Sequence, residues 1–131
     1  MKTESRIQQE IVKWYRGRYC LSHHDPQCAI FSVPNEAAMT VAGSLAKLGV
    51  GKSIIRRVSS MITNLLKSTG MMSGVSDLIV LQPGRVLFIE VKTPSGRQSK
   101  TQLRFESIVT KLGFKYFIVR SLDEFKDLVN Q

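Results

Sequence analysis

The sequence predicts an α/β fold in which a mixed β-sheet is flanked by helices, with a helical insertion at about residues 36–68. Two observations predict this fold. First, helix-like and strand-like patterns follow one another in the order helix, strand, two helices, β-hairpin, helix, strand, helix. Second, 131 residues with 43% hydrophobic content suffice for one compact core, so we expect a single domain over residues 1–131.

Each element follows from hydrophobic periodicity or from turn residues. Apolar residues at helical spacing predict helices at residues 4–16, 36–48, 53–68, 99–112 and 122–129. Runs of β-branched and apolar residues predict strands at residues 29–33, 77–81, 86–92 and 114–119. On the first helix the predicted inward stripe is Ile7, Ile11 and Trp14. Gly113 is expected to end the fourth helix, and Ser121 to cap the fifth.

The charge of the chain indicates its class of partner. Lys and Arg number 19 against 10 Asp and Glu, which gives a net charge of +9. Such a surplus on a small domain favours a polyanionic partner, with nucleic acid ahead of an anionic membrane surface. No apolar run approaches the roughly 20 residues that span a bilayer, and the first ten residues are polar. We therefore expect a soluble, cytoplasmic protein with no membrane partner.

Two cysteines, Cys20 and Cys28, are too few for a disulfide framework. Together with His23 and His24 they form a short cluster, but its spacing matches no standard zinc-binding pattern. We expect a solvated loop with one buried cysteine rather than a zinc site.

A predicted β-hairpin at residues 77–92 brings two carboxylates together. If its turn is centred between Pro83 and Gly84, cross-strand partners have numbers that sum to 167, and Asp77 lies opposite Glu90. Directly opposed residues have Cβ atoms about 4.5–5.5 Å apart, so the carboxylates repel unless a cation or a raised pKa compensates. Pro-Gly is not the favoured two-residue hairpin turn, so the alternative is a bulge that shifts the register by one residue.

Lys92 completes a set of groups suited to metal-dependent hydrolysis. Glu90 and Lys92 share a face of one strand, whereas Val91 points into the core and leaves its backbone carbonyl as an oxygen ligand. Two carboxylates and a carbonyl suit Mg²⁺ or Mn²⁺ rather than zinc. A divalent ion would activate water and neutralise a phosphate oxygen, while Lys92 orients the water or stabilises developing charge. The structural alternative is a capping aspartate and an exposed Glu-Lys ion pair.

Two further polar residues are candidate catalytic residues, and each has a second interpretation. Gln102 shares a helix face with Phe105 and Val109 and so looks toward the sheet. Residues 99–102 (SKTQ) also fit a capping box, in which Gln102 would serve the helix. Glu10 would contribute to the metal site from the first helix, or would lie at the rim of the core.

Six basic residues are candidate contacts to DNA phosphates: Arg56, Arg57, Lys67, Arg97, Lys100 and Arg104. Phosphate contacts position a duplex without reading its bases, and the sequence shows no helix-turn-helix, zinc-finger or RNA-binding signature. We therefore expect recognition of DNA shape, with an affinity that falls steeply as salt rises. The alternative for each residue is an ordinary solvated helix face.

These motifs resemble the virus-type replication-repair nuclease (VRR-NUC) domain of the PD-(D/E)xK nuclease superfamily. The main matching segments are GVSDLIV at residues 74–80, FIEVKT at residues 88–93 and SKTQ at residues 99–102. Shorter matches are Gly96 and residues 10–14 (EIVKW), 33–35 (VPN), 112–113 (LG) and 119–121 (VRS). The resemblance covers most of the chain and is weakest across residues 37–70. The family commonly has a proline before the first aspartate, where this sequence has Ser76.

The resemblance implies a restriction-endonuclease-like fold and a DNA endonuclease activity. It makes Lys92 catalytic, with Gln102 in support. In-line attack on the phosphodiester would then expel the 3′ oxygen. The groups that it assigns to Mg²⁺ or Mn²⁺ are Asp77, Glu90, the Val91 carbonyl and, directly or through water, Glu10.

The resemblance also implies a substrate and an assembly. Stand-alone members, often phage-encoded, resemble dimeric resolvases of four-way (Holliday) junctions, so DNA repair or recombination is the expected pathway. One centre cuts one strand and symmetric resolution requires two, so we expect a homodimer. The apolar stripe at residues 53–66 would supply its interface or would cover the sheet. The alternative functions are a flap or restriction-like nuclease on the same fold and a catalytically silent DNA-binding module.

Overall fold

A computed structural model describes residues 2–20 and 27–131 of the chain. Its elements in chain order are α1 (Glu4–Tyr19), β1 (Ala29–Ser32), α2 (Ala37–Lys47), α3 (Lys52–Ser68), β2 (Leu78–Gln82), β3 (Arg85–Val91), α4 (Lys100–Lys111), β4 (Lys115–Val119) and α5 (Leu122–Val129). The predicted order of elements and the mixed sheet are confirmed. The element boundaries differ from the predicted ones by at most three residues, the largest difference being the longer α1.

The chain divides into two compact units, one made of Met1–Val33 with Gly74–Gln131 and the other of Pro34–Ser73. The second unit corresponds to the predicted helical insertion, and a single domain over the whole chain stays a prediction. Residues His23 and His24 of the predicted loop lie outside the described residues, so the zinc alternative is not addressed by the structure. Within the described part of the chain, no helix is both long and apolar enough to cross a membrane.

The four strands form one sheet in the order β1-β2-β3-β4. The first two pairings are antiparallel, and β3 pairs in parallel with β4 after the α4 connection. In the hairpin, Leu78 pairs with Ile89 and Gln82 with Arg85, so partner numbers sum to 167 as predicted and no bulge shifts the register. The turn places glycine at its second position with φ of 72°, which Gly84 adopts without strain.

Helices cover both faces of the sheet within the first unit. Successive side chains of β3 point to opposite faces and so pack against different helices. On one face, Leu87, Ile89 and Val91 join a buried core with α1 and α5. On the other face, the Phe88 ring packs edge-on against Phe105 of α4, with centroids 5.7 Å apart. Side chains on the same face of β3 as Phe88 therefore point toward α4, and polar groups of α4 can lie close to them.

The first helix turns a different stripe inward from the predicted one. Its buried residues are Ile7, Ile11 and Tyr15, whereas Trp14 is only partly buried. Trp14 does face the core as predicted, but Tyr15, which was not predicted, is the fully buried third residue of the stripe. Residues spaced i, i+4, i+8 form one row along a helix, and the large indole of Trp14 lies beside that row at the edge of the core.

The second unit is a pair of helices joined by a turn in which Gly49 has φ of 80°. The helices α2 and α3 pack against each other, yet none of the residues in these two fully described helices is buried. On α3, Ile54, Met61 and Leu65 are 55%, 71% and 63% exposed. The predicted apolar stripe at residues 53–66 is thus present, with part of it open to solvent.

Candidate active site

Asp77 and Glu90, here called the acidic pair, meet at the open end of the β2–β3 hairpin. Asp77 lies one residue before β2 and continues the hairpin register to the level of Glu90 in β3. Its Oδ2 accepts a 2.8 Å hydrogen bond from the Val91 N–H, which ties the aspartate to the partner strand. Lys92 follows directly, and its own N–H donates to the Val119 carbonyl at 3.0 Å. The backbone of two strands therefore positions all three charged side chains.

Glu90 is held asymmetrically inside the protein, with only 1% of its surface exposed. Its Oε1 accepts a 2.8 Å hydrogen bond from Gln102 Nε2 and lies 3.5 Å from Lys92 Nζ. Its Oε2 is buried and accepts no hydrogen bond from an N–H group or a hydroxyl of the described residues, and the Asp77 and Glu90 carboxyls lie close enough to share a proton. A buried polar oxygen without a partner is unfavourable, so this atom needs a cation or a proton.

Burial raises the pKa of both members of the acidic pair. The pKa of Glu90 rises from its ordinary 4.5 to about 8, first through burial and then through the nearby Asp77 carboxylate, while Lys92 lowers it. Burial also raises the pKa of Asp77, although the hydrogen bond from the Val91 N–H opposes this and the charge of Glu4 adds to it. Without a divalent ion, the acidic pair therefore retains a proton near neutral pH.

Gln102 both caps α4 and contacts the acidic pair, the two roles that the sequence left as alternatives. The Ser99 side chain accepts from the Gln102 N–H, and Gln102 Oε1 accepts from the Ser99 N–H at 2.8 Å, which completes the predicted capping box. The Ser99 N–H can only donate, so it orients the amide with Oε1 toward the cap. The Nε2 group consequently faces Glu90, and the first turn of α4 fixes the orientation of that carboxylate.

The segment before β2 approaches α4 so closely that only glycine fits at position 74. Gly74 has φ of 84°, and a Cβ there would collide with the backbone carbonyl of Thr101. Ser76, which stands where the family commonly has proline, is fully buried and donates from its hydroxyl to the Leu78 carbonyl at 3.2 Å. This close passage brings Asp77 and the first turn of α4 to the same end of the sheet.

The structure does not bring Glu10 into this cluster. Its carboxylate lies 2.9 Å from Lys2 Nζ and 3.9 Å from Arg6 Nε, and a metal role for it stays a prediction. Glu4 is the α1 carboxylate whose charge acts on Asp77. At about 100° per residue, Glu4 points about 20° from the direction of buried Ile11, and Glu10 about 100° from it. Choosing Tyr15 as the third inward residue would have selected Glu4 from the sequence.

The acidic pair fits a hard divalent cation. Mg²⁺ is commonly held by one or two carboxylates and completes its shell with water and substrate phosphate oxygens. The pair offers two carboxylates with raised pKa values, and the buried Glu90 Oε2 receives no N–H or hydroxyl donor from the described residues. No group of three or more His, Cys, Asp or Glu residues suited to a metal occurs in the described ranges.

The candidate DNA contacts lie in both units. Arg97, Lys100 and Arg104 are exposed in the first unit, on the 93–98 connection and on the outer side of α4. The other three, Arg56, Arg57 and Lys67, are exposed on α3 in the second unit. No described contact assigns any of the six to a structural ion pair, so their role in DNA binding stays a prediction.

The chain is similar to known proteins in sequence and in fold. A family model described as the VRR-NUC domain matches residues 2–123. A solved structure described as a VRR_NUC domain protein aligns with 100% of this chain and 88% of its own, at 19% identity and a TM-score of 0.64. A second, described as a VRR_NUC domain, aligns with 100% of this chain and 98% of its own, at 19% identity and a TM-score of 0.58. No curated protein sequence matches the chain. These structures share the mixed sheet and flanking helices.

Proposed function

Because the chain belongs to the VRR-NUC family, whose domain indicates a nuclease, we propose that it is a metal-dependent, structure-selective DNA endonuclease. It hydrolyses phosphodiester bonds, and its proposed substrate is a four-way junction resolved by a homodimer. Asp77 and Glu90 hold Mg²⁺ or Mn²⁺ together with the Val91 carbonyl, and Lys92 acts at the phosphate. A cytoplasmic, phage-type role in DNA repair or recombination belongs to the same proposal.

The observation that carries this proposal is that the two carboxylate oxygens of Glu90 have different hydrogen-bond partners. Gln102 and Lys92 anchor Oε1, while Oε2 is buried without a donor among the described residues. A purely structural ion pair would satisfy both oxygens or leave them in water. An oriented, unpartnered oxygen beside a second carboxylate instead matches the requirement of a cation site.

The residues of this chain divide the chemical work. A bound divalent ion would supply Lewis-acid activation of water and neutralise a phosphate oxygen. Gln102 orients Glu90, and the Val91 N–H orients Asp77, so the acidic pair is arranged before substrate arrives. Lys92 is buried, with 7% of the residue exposed, and its ammonium group is held beside Glu90, where it stabilises negative charge that builds on the phosphoryl oxygens.

Charge and exposed apolar surface support the DNA substrate and the dimer. The net charge of +9 and the exposed Arg97, Lys100 and Arg104 favour contact with the phosphate backbone. Symmetric resolution of a junction needs two active centres, which a twofold dimer provides. The exposed Met61 and Leu65 of α3 are the apolar residues proposed for its interface.

The test is a cleavage assay with linear, flap, splayed and four-way DNA, in Mg²⁺, Mn²⁺ or EDTA. Wild type should cut the four-way substrate symmetrically and only with a divalent ion. Lys92→Met, which keeps the length of the side chain but not its charge, should cut at least about 100-fold more slowly. Lys111→Met, on an exposed lysine of α4, is the matched control and should retain the rate. Undiminished cutting by Lys92→Met would end the proposed mechanism.

The same assay separates the alternative functions. Preference for one sequence in linear duplex would identify a restriction-like nuclease, and preference for flaps would identify a flap nuclease. Binding without cutting in every metal would identify the silent DNA-binding module.

The homodimer is tested by light scattering. Wild type should have twice the mass of one chain, and Met61→Glu should have the mass of one chain. A wild-type monomer at micromolar concentration in the presence of junction DNA would contradict the homodimer.

A further inference from the structure

Residues 93–98, here called the 93–98 loop, leave the site directly after Lys92 and end at the cap of α4. One residue just beyond the end of the neighbouring parallel strand β4 holds the start of this loop. Arg120 Nη1 donates to the Thr93 carbonyl at 2.7 Å, to the Gly96 carbonyl at 2.8 Å and to the Pro94 carbonyl at 3.3 Å. Three carbonyl oxygens that converge on one nitrogen would repel each other without a cation between them.

Packing contributes little to holding the loop, so the guanidinium group is its main restraint at this end. Pro94, Ser95 and Arg97 are exposed. A cavity of about 180 Å³, lined in part by Pro94, Arg120 and Leu122, lies beside the loop and offers space for it to move. The loop's own turn is a single bond from the Gly96 N–H to the Thr93 carbonyl at 3.0 Å.

The far end of the loop is tied to the same sheet. Gln98 Nε2 donates to the Tyr116 hydroxyl at 3.2 Å, and the next residue, Ser99, caps α4. Between the two ties, Gly96 lies beside Glu4, since a Cβ on Gly96 would sit 3.4 Å from the Glu4 carboxylate. The loop is therefore a segment restrained at both ends that passes beside Glu4, and Arg97 is an exposed cation on it.

We infer that Arg120 is a positioning residue whose guanidinium group braces the 93–98 loop so that Arg97 meets the DNA backbone beside the acidic pair. This inference rests on the proposed function for its ligand, DNA. Arg120 itself is partly buried and directed at the loop carbonyls. Its effect on DNA therefore passes through Arg97 rather than through a phosphate contact of its own.

The test is a double-mutant cycle on DNA affinity, measured without divalent ions by fluorescence anisotropy over a range of salt concentrations. Arg97→Ala and Arg120→Ala should each weaken binding about 3- to 10-fold and reduce the salt slope by about one. The double variant should bind no more weakly than either single variant, because both remove the same contact. Multiplied effects, or an unchanged salt slope in Arg120→Ala, would overturn the inference.

Two controls separate positioning from folding. Arg16→Ala also removes a guanidinium bond to a backbone carbonyl, that of Ile30 at 3.2 Å, and should keep the wild-type affinity and salt slope. Arg120→Lys, whose ammonium group has three donors, should bind within about threefold of wild type. If Arg120→Ala does not fold, as judged by its thermal melt, Arg120→Gln replaces it in the cycle with the same expected results.

Failure of this inference differs from failure of the proposed function. A wild-type protein that binds DNA but cuts none in any metal ends the nuclease proposal and leaves the binding cycle to decide the role of Arg120. A wild-type protein that cuts, with an Arg120→Ala variant whose KM and salt slope are unchanged, ends the inference alone. In the cutting protein we expect Arg120→Ala to raise KM, which a loss of folded protein would not do.

Discussion

Replacing Glu90 in the metal-free protein should change how stability depends on pH. In the unfolded chain this carboxyl titrates near its ordinary pKa of 4.5, whereas in the folded protein its pKa is about 8. Between these values the folded state binds more protons than the unfolded state. Stability must therefore fall as pH rises through this window, because folding takes up a proton that becomes scarcer as pH rises, and the contribution is lost fully above the folded pKa of about 8.

The expected magnitude follows from the proton difference. One extra proton in the folded state corresponds to about 1.4 kcal/mol of unfolding free energy per pH unit between about pH 5.5 and 7.5. Glu90→Gln keeps the shape of the side chain but cannot ionise, so it should lack this contribution. Asp77→Asn should lose part of it, because the Asp77 carboxylate is the second cause of the raised pKa of Glu90.

The measurement is urea unfolding in EDTA at about pH 5.5, 6.5 and 7.5, followed by fluorescence of the single tryptophan. That residue, Trp14, packs against the core and so reports unfolding. Wild type should lose stability along this series more steeply than Glu90→Gln. Saturating Mn²⁺ should restore wild type at the highest pH, because the cation replaces the missing proton. Parallel pH profiles for wild type and Glu90→Gln would refute the reasoning.

Three further predictions concern the residues around the acidic pair. Gln102→Ala loses a capping bond and its bond to the pair, so urea unfolding should show a loss of about 2 kcal/mol, against about 1 kcal/mol for Ser99→Ala. Its cleavage rate should also lie at least about tenfold below that of Ser99→Ala, and equal rates would contradict the orienting role of the amide. Gly74→Ala should lower the melting temperature, since left-handed backbone costs about 1–2 kcal/mol and the new Cβ collides with α4; a melt that matches wild type would show that the close passage is absent. Glu4→Gln should weaken Mn²⁺ binding about threefold in calorimetry and Glu10→Gln should not, whereas the reverse order would assign the α1 carboxylate to Glu10.

The hairpin could be predicted closely because its geometry is local. The Pro83-Gly84 turn sets the register over ten paired residues, and the period of two in a strand then decides which side chains share a face. Glu90 and Lys92 follow from this alone. The bond from the Val91 N–H to Asp77 is a consequence of the same register, although no sequence pattern announces it.

The misassigned features depend on contacts between distant segments. The phase of α1 is decided by the sheet it packs against, and an amphipathic pattern that includes both Trp14 and Tyr15 allows two phases. The metal role of Glu10, which the resemblance implies, stays a prediction, whereas the effect of the Glu4 charge on Asp77 was not predicted. Arg120 lies in the VRS segment that matches the family, but its role was missed because its partners are backbone carbonyls 24 to 27 residues away, and such contacts leave no paired side-chain pattern in the sequence.

Gln102 shows how a structural motif and a functional site can be one object. An amide carries its donor and its acceptor on separate atoms, so closing a capping box uses Oε1 and leaves Nε2 available. The Ser99 N–H can only donate a hydrogen bond, so the Gln102 amide must turn its Oε1 toward it. The start of α4 and the orientation of Glu90 are therefore coupled. The sequence presents capping and site support as competing interpretations, yet each strengthens the other. Loss of helix capping should therefore disturb the acidic pair even where no residue of the pair is changed.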